Sequence, residues 1–268
     1  MTELATRDTT RLAAELLREA AVTGVPCDPV RDLLGSATMA DAYAVQRLNT
    51  EHSLALGRRL AGWKIGLTSP AVRRQFGIDQ PDFGAVFADT EVFDGAEIPG
   101  DELIQPKVEA EIALVLSADL TDPPITPVDV IKATAFVLPA IEIVDSRIRH
   151  WDISVVDTIA DNASTGRYVV GGTPRRLDQV DLRGVTMTMT DGHQVISEGT
   201  GAACFESPLN AVAWLGTTLA TLDRPLRAGD VVLSGALGPM VTVERGTTYE
   251  ATLPGVGSVR AAFAPYRS

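Results

Sequence analysis

Cysteine is scarce in this 268-residue sequence, and the two that occur, Cys27 and Cys204, lie far apart and outside any Cys-x-x-Cys pair. A disulfide scaffold and a cysteine-built metal site are thereby excluded, and a reducing compartment is the expectation. Histidine is scarcer than its chemistry would need. His52 falls in a predicted helix, His150 beside Trp151 and His193 in an Asp-Gly turn, so all three read as structural or exposed. No apolar run approaches the length of a membrane span. The opening residues Met1-Thr2-Glu3 lack the basic segment and apolar core of a secretory signal, so a cytoplasmic protein is expected. There is no GxGxxG or phosphate-loop pattern, no internal repeat and no low-complexity segment.

Positive charge is the last shortage. Lys and Arg number 23 against 35 Asp and Glu, a net charge of −12, and the pI is about 4.7. Nucleic acid and anionic membranes, which both require clustered cations, are therefore not expected partners. An anionic small molecule would be repelled at long range, so a substrate of that kind needs a local positive centre.

What is present is enough apolar residue, 45%, for a sizeable core. Leu12, Ala13, Leu16, Leu17 and Ala20 recur at helical spacing until Gly24-Val25-Pro26. Thr38-Met39-Ala40-Asp41 reads as a capping box that starts a second helix, closed by Gly57. Beyond Gly62 the texture changes to short apolar stretches punctuated by Gly, Pro and Asp. Strands are expected at 108–116, 136–144, 184–190, 230–234, 249–253 and 258–263, with helices at about 127–135 and 208–222. Strands outnumber helices without βαβ alternation, which predicts an α+β fold with a helical N-terminal region, 1–60, and a strand-rich region, 61–268.

The most informative segment is Pro106-Lys107-Val108-Glu109-Ala110-Glu111-Ile112-Ala113-Leu114-Val115-Leu116. On a strand, Glu109 and Glu111 share one face while Val108, Ala110 and Ile112 share the other. Glu142 stands alone in Leu138-Pro139-Ala140-Ile141-Glu142-Ile143-Val144, between apolar neighbours. Buried carboxylates are costly or protonated unless partnered. A divalent cation would satisfy three at once, and an all-oxygen set suits Mg²⁺ or Mn²⁺ better than zinc. The alternative is that Glu109 and Glu111 line a solvated edge and Glu142 pairs with Arg147 or Arg149.

Lys64 is isolated in the glycine-bounded stretch Gly62-Trp63-Lys64-Ile65-Gly66. Such a lysine either snorkels to solvent or sits by a carboxylate as an acid or base. Asp82 occupies a turn-rich loop, Asp79-Gln80-Pro81-Asp82-Phe83-Gly84, and spacing alone gives it no role beyond turn former. Asp157 to Gly166 is dense in short polar groups that read as caps and turns. Ser234-Gly235-Ala236-Leu237-Gly238 is a strand end whose amides could approach a ligand, or an ordinary tight turn.

Taken together, GWKIGLTS, DQPDFGAVFAD, QPKVEAEIALVL, LPAIEIVDSRIRHW, DTIADNAS, SPLNAVAWL and LSGALGPMV resemble the 2-keto-4-pentenoate hydratase family of the fumarylacetoacetate hydrolase superfamily, in order and spacing over nearly the whole chain. The resemblance implies a mixed β-roll, a divalent metal on Glu109, Glu111 and Glu142, acid–base chemistry by Lys64 and Asp82, and Ser164 beside the ligand. It also implies a small 2-hydroxy-dienoate substrate, a place in meta-cleavage degradation of aromatic compounds, and a homo-oligomer. Phe205-Glu206-Ser207-Pro208 departs from the expected Gly and His or Asn, which puts the local loop in question. The nearest rival is a 2-oxo-3-hexenedioate decarboxylase of the same family. A C–C hydrolase would be expected to place a histidine by the metal, and a non-catalytic homologue to have lost a metal Glu or Lys64.

Overall fold

The computed structural model describes residues 3–35 and 38–265; Met1 and Thr2, where the sequence opens, lie outside them. Three helices come first: α1 (Glu3–Thr23), α2 (Arg31–Leu34) and α3 (Met39–Ala55). The predicted capping box is formed, with the Thr38 side chain accepting from the Asp41 amide and the Asp41 side chain accepting from the Thr38 amide. Ala13, Ala14 and Leu17 of α1 bury against Ala42 and Val45 of α3, and against Ile148, Ile159 and Ala160 from the strand-rich part. Gln46 of α3 donates from Nε2 to the carbonyls of Phe83 and Ile159, 2.8 and 3.1 Å away. The helical region is thus pinned to the chain that carries the site.

The larger sheet runs β2 (Asp82–Phe87), β1 (Leu60–Gly66), β10 (Val231–Leu233), β5 (Pro106–Leu116), β6 (Thr134–Asp145), β7 (Thr165–Val170) and β3 (Glu91–Val92), with β11 (Val241–Thr242) on β5. A second sheet orders β4 (Glu97–Ile98), β13 (Gly257–Phe263), β12 (Thr248–Leu253), β8 (Thr186–Thr190) and β9 (Val195–Thr200). The remaining α-helices are α4 (Pro70–Phe76), α5 (Pro127–Ala133), α6 (Val155–Ala160) and α7 (Pro208–Thr221). The expected α+β architecture is present. The predicted helix at 127–135 ends at Ala133 instead, because Thr134 already belongs to β6.

Strand alternation sorts the larger sheet into two faces. Trp63, Ile65, Phe83, Ala85, Val108, Ala110, Ile112, Ile141 and Ile143 join the main core, shared with Tyr249, Ala251 and Val259 of the second sheet. Val86, Ala113, Leu138, Ala140, Tyr168 and Leu233 form a separate apolar cluster on the opposite face. That opposite face also carries Asp82, Glu109, Glu111 and Glu142, each in phase with those residues along its strand, and Lys64, which is level with Leu233. The sheet curls about this face until its β2 edge meets the chain just ahead of β7.

Candidate active site

Register brings the three glutamates together. In the antiparallel β5–β6 pair Glu109 lies opposite Glu142, and Glu111 is opposite Ala140, one step further along the same face. Carboxylate oxygens from Glu109, Glu111 and Glu142 all lie within 4.8 Å of one another. Glu111 and Glu142 are buried while Glu109 is partly exposed, so the cluster opens on the Glu109 side.

Lys64 lies level with Leu233 of β10, which in turn pairs with Ala113 of β5. Its buried Nζ is 3.2 Å from Glu142 Oε1 and donates to the Ala163 carbonyl at 2.9 Å. The alternative pairing of Glu142 with Arg147 or Arg149 is corrected by this contact. Arg147 is engaged by Asp161 and Arg149 by Asp28, because both arginines lie beyond the end of β6 and off the glutamate face. Asp82, read as a turn former, instead opens β2 opposite Gly66, and it is buried. A Cβ on Gly66 would stand 2.2 Å from Asp82 Oδ1 and 3.4 Å from Lys64 Nζ, so only glycine leaves room for the pair.

Many of these polar atoms lack hydrogen-bond partners within the protein. Both oxygens of Asp82, Oε1 of Glu111 and the hydroxyls of Ser164 and Ser234 are buried without one, and neither Glu142 oxygen receives a well-directed hydrogen bond. Glu111 Oε2 alone is tied down, by the Gly235 amide at 2.8 Å. The glycine loop after β10 therefore serves a carboxylate. Burial pushes Asp82 up to about 6, with Lys64 pulling it down and Glu142 raising it. Burial and then Glu142 push Glu109 up to about 7. Glu111 stands well above the ordinary range through burial, Glu142 and Glu109, and Glu142 is raised by burial against the pull of Lys64. For Lys64 burial opposes the charge, yet Glu142, Asp82, Glu109 and Glu111 outweigh it and hold the ammonium charged. Buried acceptors in excess over donors are what a bound cation would relieve. The donor set, all carboxylate oxygen, fits a hard divalent ion.

Ser164 is buried in a turn between α6 and β7 in which Asn162, Ala163 and Ser164 have φ of 55°, 51° and 54°. Three successive left-handed non-glycine residues cost about 1–3 kcal/mol each and persist only where their surroundings over-determine them. The density of short polar residues over Asp157 to Gly166 signalled caps and turns, but nothing in the spacing pointed to the Ala163 carbonyl as the partner of Lys64. A cleft of about 990 Å³ lies against this turn, lined by the ends of α1 and α3 with Ala85, Asn162, Leu103 and Asp145. None of the five charged residues above lines it.

With this geometry in place, the model for the fumarylacetoacetate (FAA) hydrolase C-terminal family matches residues 66–264. The chain belongs to the fumarylacetoacetate hydrolase family. A "2-keto-4-pentenoate hydratase 2" of Dechloromonas aromatica is 54% identical over 94% of this chain and 96% of that protein. The "TodF product hydratase" of Pseudomonas putida F1 is 53% identical over 98% and 99%. Among solved structures, 4-oxalocrotonate decarboxylase from Pseudomonas putida G7, complexed with magnesium and adipate, superposes with a TM-score of 0.92 at 34% identity, covering 96% of this chain and 98% of that one. The β-roll expected for the family is the fold described above, and no helix among the described residues is long and apolar enough to cross a membrane.

Proposed function

We propose that this member of the family is a metal-dependent hydro-lyase that adds water to 2-hydroxypenta-2,4-dienoate (2-keto-4-pentenoate) and yields 4-hydroxy-2-oxopentanoate in the breakdown of aromatic compounds. The observation that carries the reading is the meeting of three clustered glutamates, two of them buried with oxygens that no hydrogen bond satisfies, with a buried Lys64 and Asp82 on one face. The similarity to named hydratases at over 50% identity along almost the whole chain supports the same substrate class. Glu109, Glu111 and Glu142 would hold Mg²⁺ or Mn²⁺. When bound, the ion supplies the positive centre that a protein of net charge −12 needs to hold the substrate's carboxylate and C2 oxygen.

The chain's own residues then move protons. Asp82, ionised above about pH 6, accepts a proton, and the charged Lys64 beside it donates one. Ketonisation removes the proton of the C2 enol and places one on C5. Hydration adds the oxygen of water at C4 and a proton at C3, so one water is consumed and nothing is released. The Ser164 hydroxyl, buried and unpartnered, would hydrogen-bond the substrate or the water. Cytoplasmic location and homo-oligomeric assembly belong to the same reading, and fractionation and light scattering test them.

The structural likeness to a decarboxylase complexed with adipate favours one second reading, turnover of 2-oxo-3-hexenedioate. A second substrate carboxylate would require a cation at the far end of the pocket. Arg73 and Arg147 are already engaged elsewhere. Arg73 donates to the Leu67 and Thr68 carbonyls and stacks on Phe205, in the loop that departs from the family pattern, and Arg147 is held by Asp161. The deciding experiment follows freshly prepared 2-hydroxypenta-2,4-dienoate spectrophotometrically, with metal and with chelator, and identifies the product. A higher kcat/KM for the dicarboxylate, with CO₂ released, would replace the hydratase by the decarboxylase.

A further inference from the structure

We infer that Asn162 is a positioning residue whose carboxamide clamps the left-handed turn to β2 and thereby fixes the place of Lys64. Its Nδ2 donates to the Ala85 carbonyl at 2.9 Å and its Oδ1 accepts the Ala85 amide at 2.7 Å. This pair of bonds is what a neighbouring strand would offer, and β2 has β1 on its other edge. A side-chain amide therefore closes the sheet between β2 and the start of β7. The contact is tight: a Cβ on Gly84 would stand 2.4 Å from the Asn162 carbonyl oxygen, a backbone atom that cannot swing away.

The ends of the turn are secured separately. Ser164 donates its amide to the Asp161 carbonyl at 3.0 Å, and Asp161 is gripped by Arg147. Thr165 Oγ1 donates to the Asn162 carbonyl at 2.7 Å. Between those anchors the turn presents to the site the Ala163 carbonyl that receives Lys64 Nζ. The two bonds from the Asn162 side chain hold the middle of the turn against β2. Without them the Ala163 carbonyl loses its fixed distance from Lys64, and Nζ is left to Glu142 alone. Displacement of about 1 Å is enough to reduce turnover by two orders of magnitude.

Asparagine also tolerates a left-handed backbone better than most residues, which could be its whole purpose. Glycine separates the two explanations, because Asn162→Gly relieves the backbone and deletes the clamp. Asn162→Asp is isosteric, keeps the acceptor and loses the Ala85 carbonyl bond. The clamp predicts that both variants lose roughly 10- to 100-fold in kcat, with KM and the Mg²⁺ dependence of melting changed less than about twofold. The inference rests on the assignment of Lys64 to proton transfer, so a readout free of turnover is paired with it. The chain has three lysines, Lys64, Lys107 and Lys132, and lysine labelled with ¹³C at Cε gives a spectrum in which Lys64→Met identifies its signal. The Lys64 signal should move in both variants while the other two stay. If Asn162→Gly keeps kcat within twofold and the signal in place, the residue is only a left-handed turn former. If melting temperature and Mg²⁺ affinity fall together with kcat, it is a general structural residue. Either result overturns the inference. Should the glycine variant fail to fold, the aspartate variant decides by the same readings, and a wild type inactive on the dienoate leaves the lysine spectrum as an independent test.

Discussion

Two groups of buried charge lie close together in this protein and are treated in opposite ways. Around Asp161 the accounts are settled: Oδ1 accepts Arg147 Nε, Oδ2 accepts the Arg147 amide at 3.0 Å and Ser146 Oγ at 3.2 Å, and the Arg147 guanidinium also donates to the carbonyls of Asp145, Thr165 and Asp161. Around Lys64 one ammonium faces four carboxyl groups, and Asp82 and Glu111 keep oxygens without any partner. Both groups are buried, so burial alone does not mark a functional charge. Unmet hydrogen-bonding capacity does. The settled pair holds the turn that the unsettled group uses.

The comparison breaks if substitutions in the two groups have the same effect. The largest consequence is expected for activity. Glu111→Gln should abolish metal-dependent turnover and leave the fold intact, and Lys64→Met should lose roughly 10² to 10⁴ in kcat while still taking up metal. Steady-state rates with and without chelator, beside circular dichroism spectra, check both. Near-normal turnover by either variant returns that residue to a passive role.

Arg147→Met is expected to act on stability instead. It strands Asp161 in the interior without its cation, a change that typically costs about 3–5 kcal/mol. Urea titration measures the loss, and a stability equal to that of Lys64→Met would erase the distinction drawn above.

The gentlest effect is on pH. Asp82 and Glu109 titrate near 6 and 7 in the folded chain, above their ordinary values of 3.8 and 4.5. A carboxyl raised by folding contributes stability that is fully present below its unfolded value and is lost as pH rises through its folded one. Metal-free protein should therefore melt progressively lower between pH 5 and pH 8. Added Mg²⁺ should recover more of that loss at pH 8 than at pH 5, where protons compete for the same oxygens. Thermal melts with EDTA or Mg²⁺ across that range test it, and a flat metal-free profile would contradict the assignment of these groups.

Much of the site was legible before the fold was known, but unevenly. The alternation of charged and apolar residues over Pro106–Leu116 put Glu109 and Glu111 on one face because side-chain direction along a strand is a local property. The capping box at Thr38 was readable for the same reason. Asp82 was not, since a strand opening out of a turn-rich loop leaves no periodic trace, and spacing offered it only a turn. Among the described residues, three of the strands beyond those expected, β3, β4 and β11, are only two residues long, too short for a pattern of their own.

By itself the sequence determined composition, the acidic balance, the local faces of its longer strands and the caps of its helices, all of which depend on neighbours a few residues apart. Only the tertiary structure decided that Glu142 answers to Lys64 and not to a nearby arginine, that Asp82 joins them, and that Asn162 stands in for a missing strand. The first and last of these contacts join residues 78 and 77 positions apart. Their formation depends on sheet order and register, which arise from the packing of the whole core and leave no mark in any short stretch of chain.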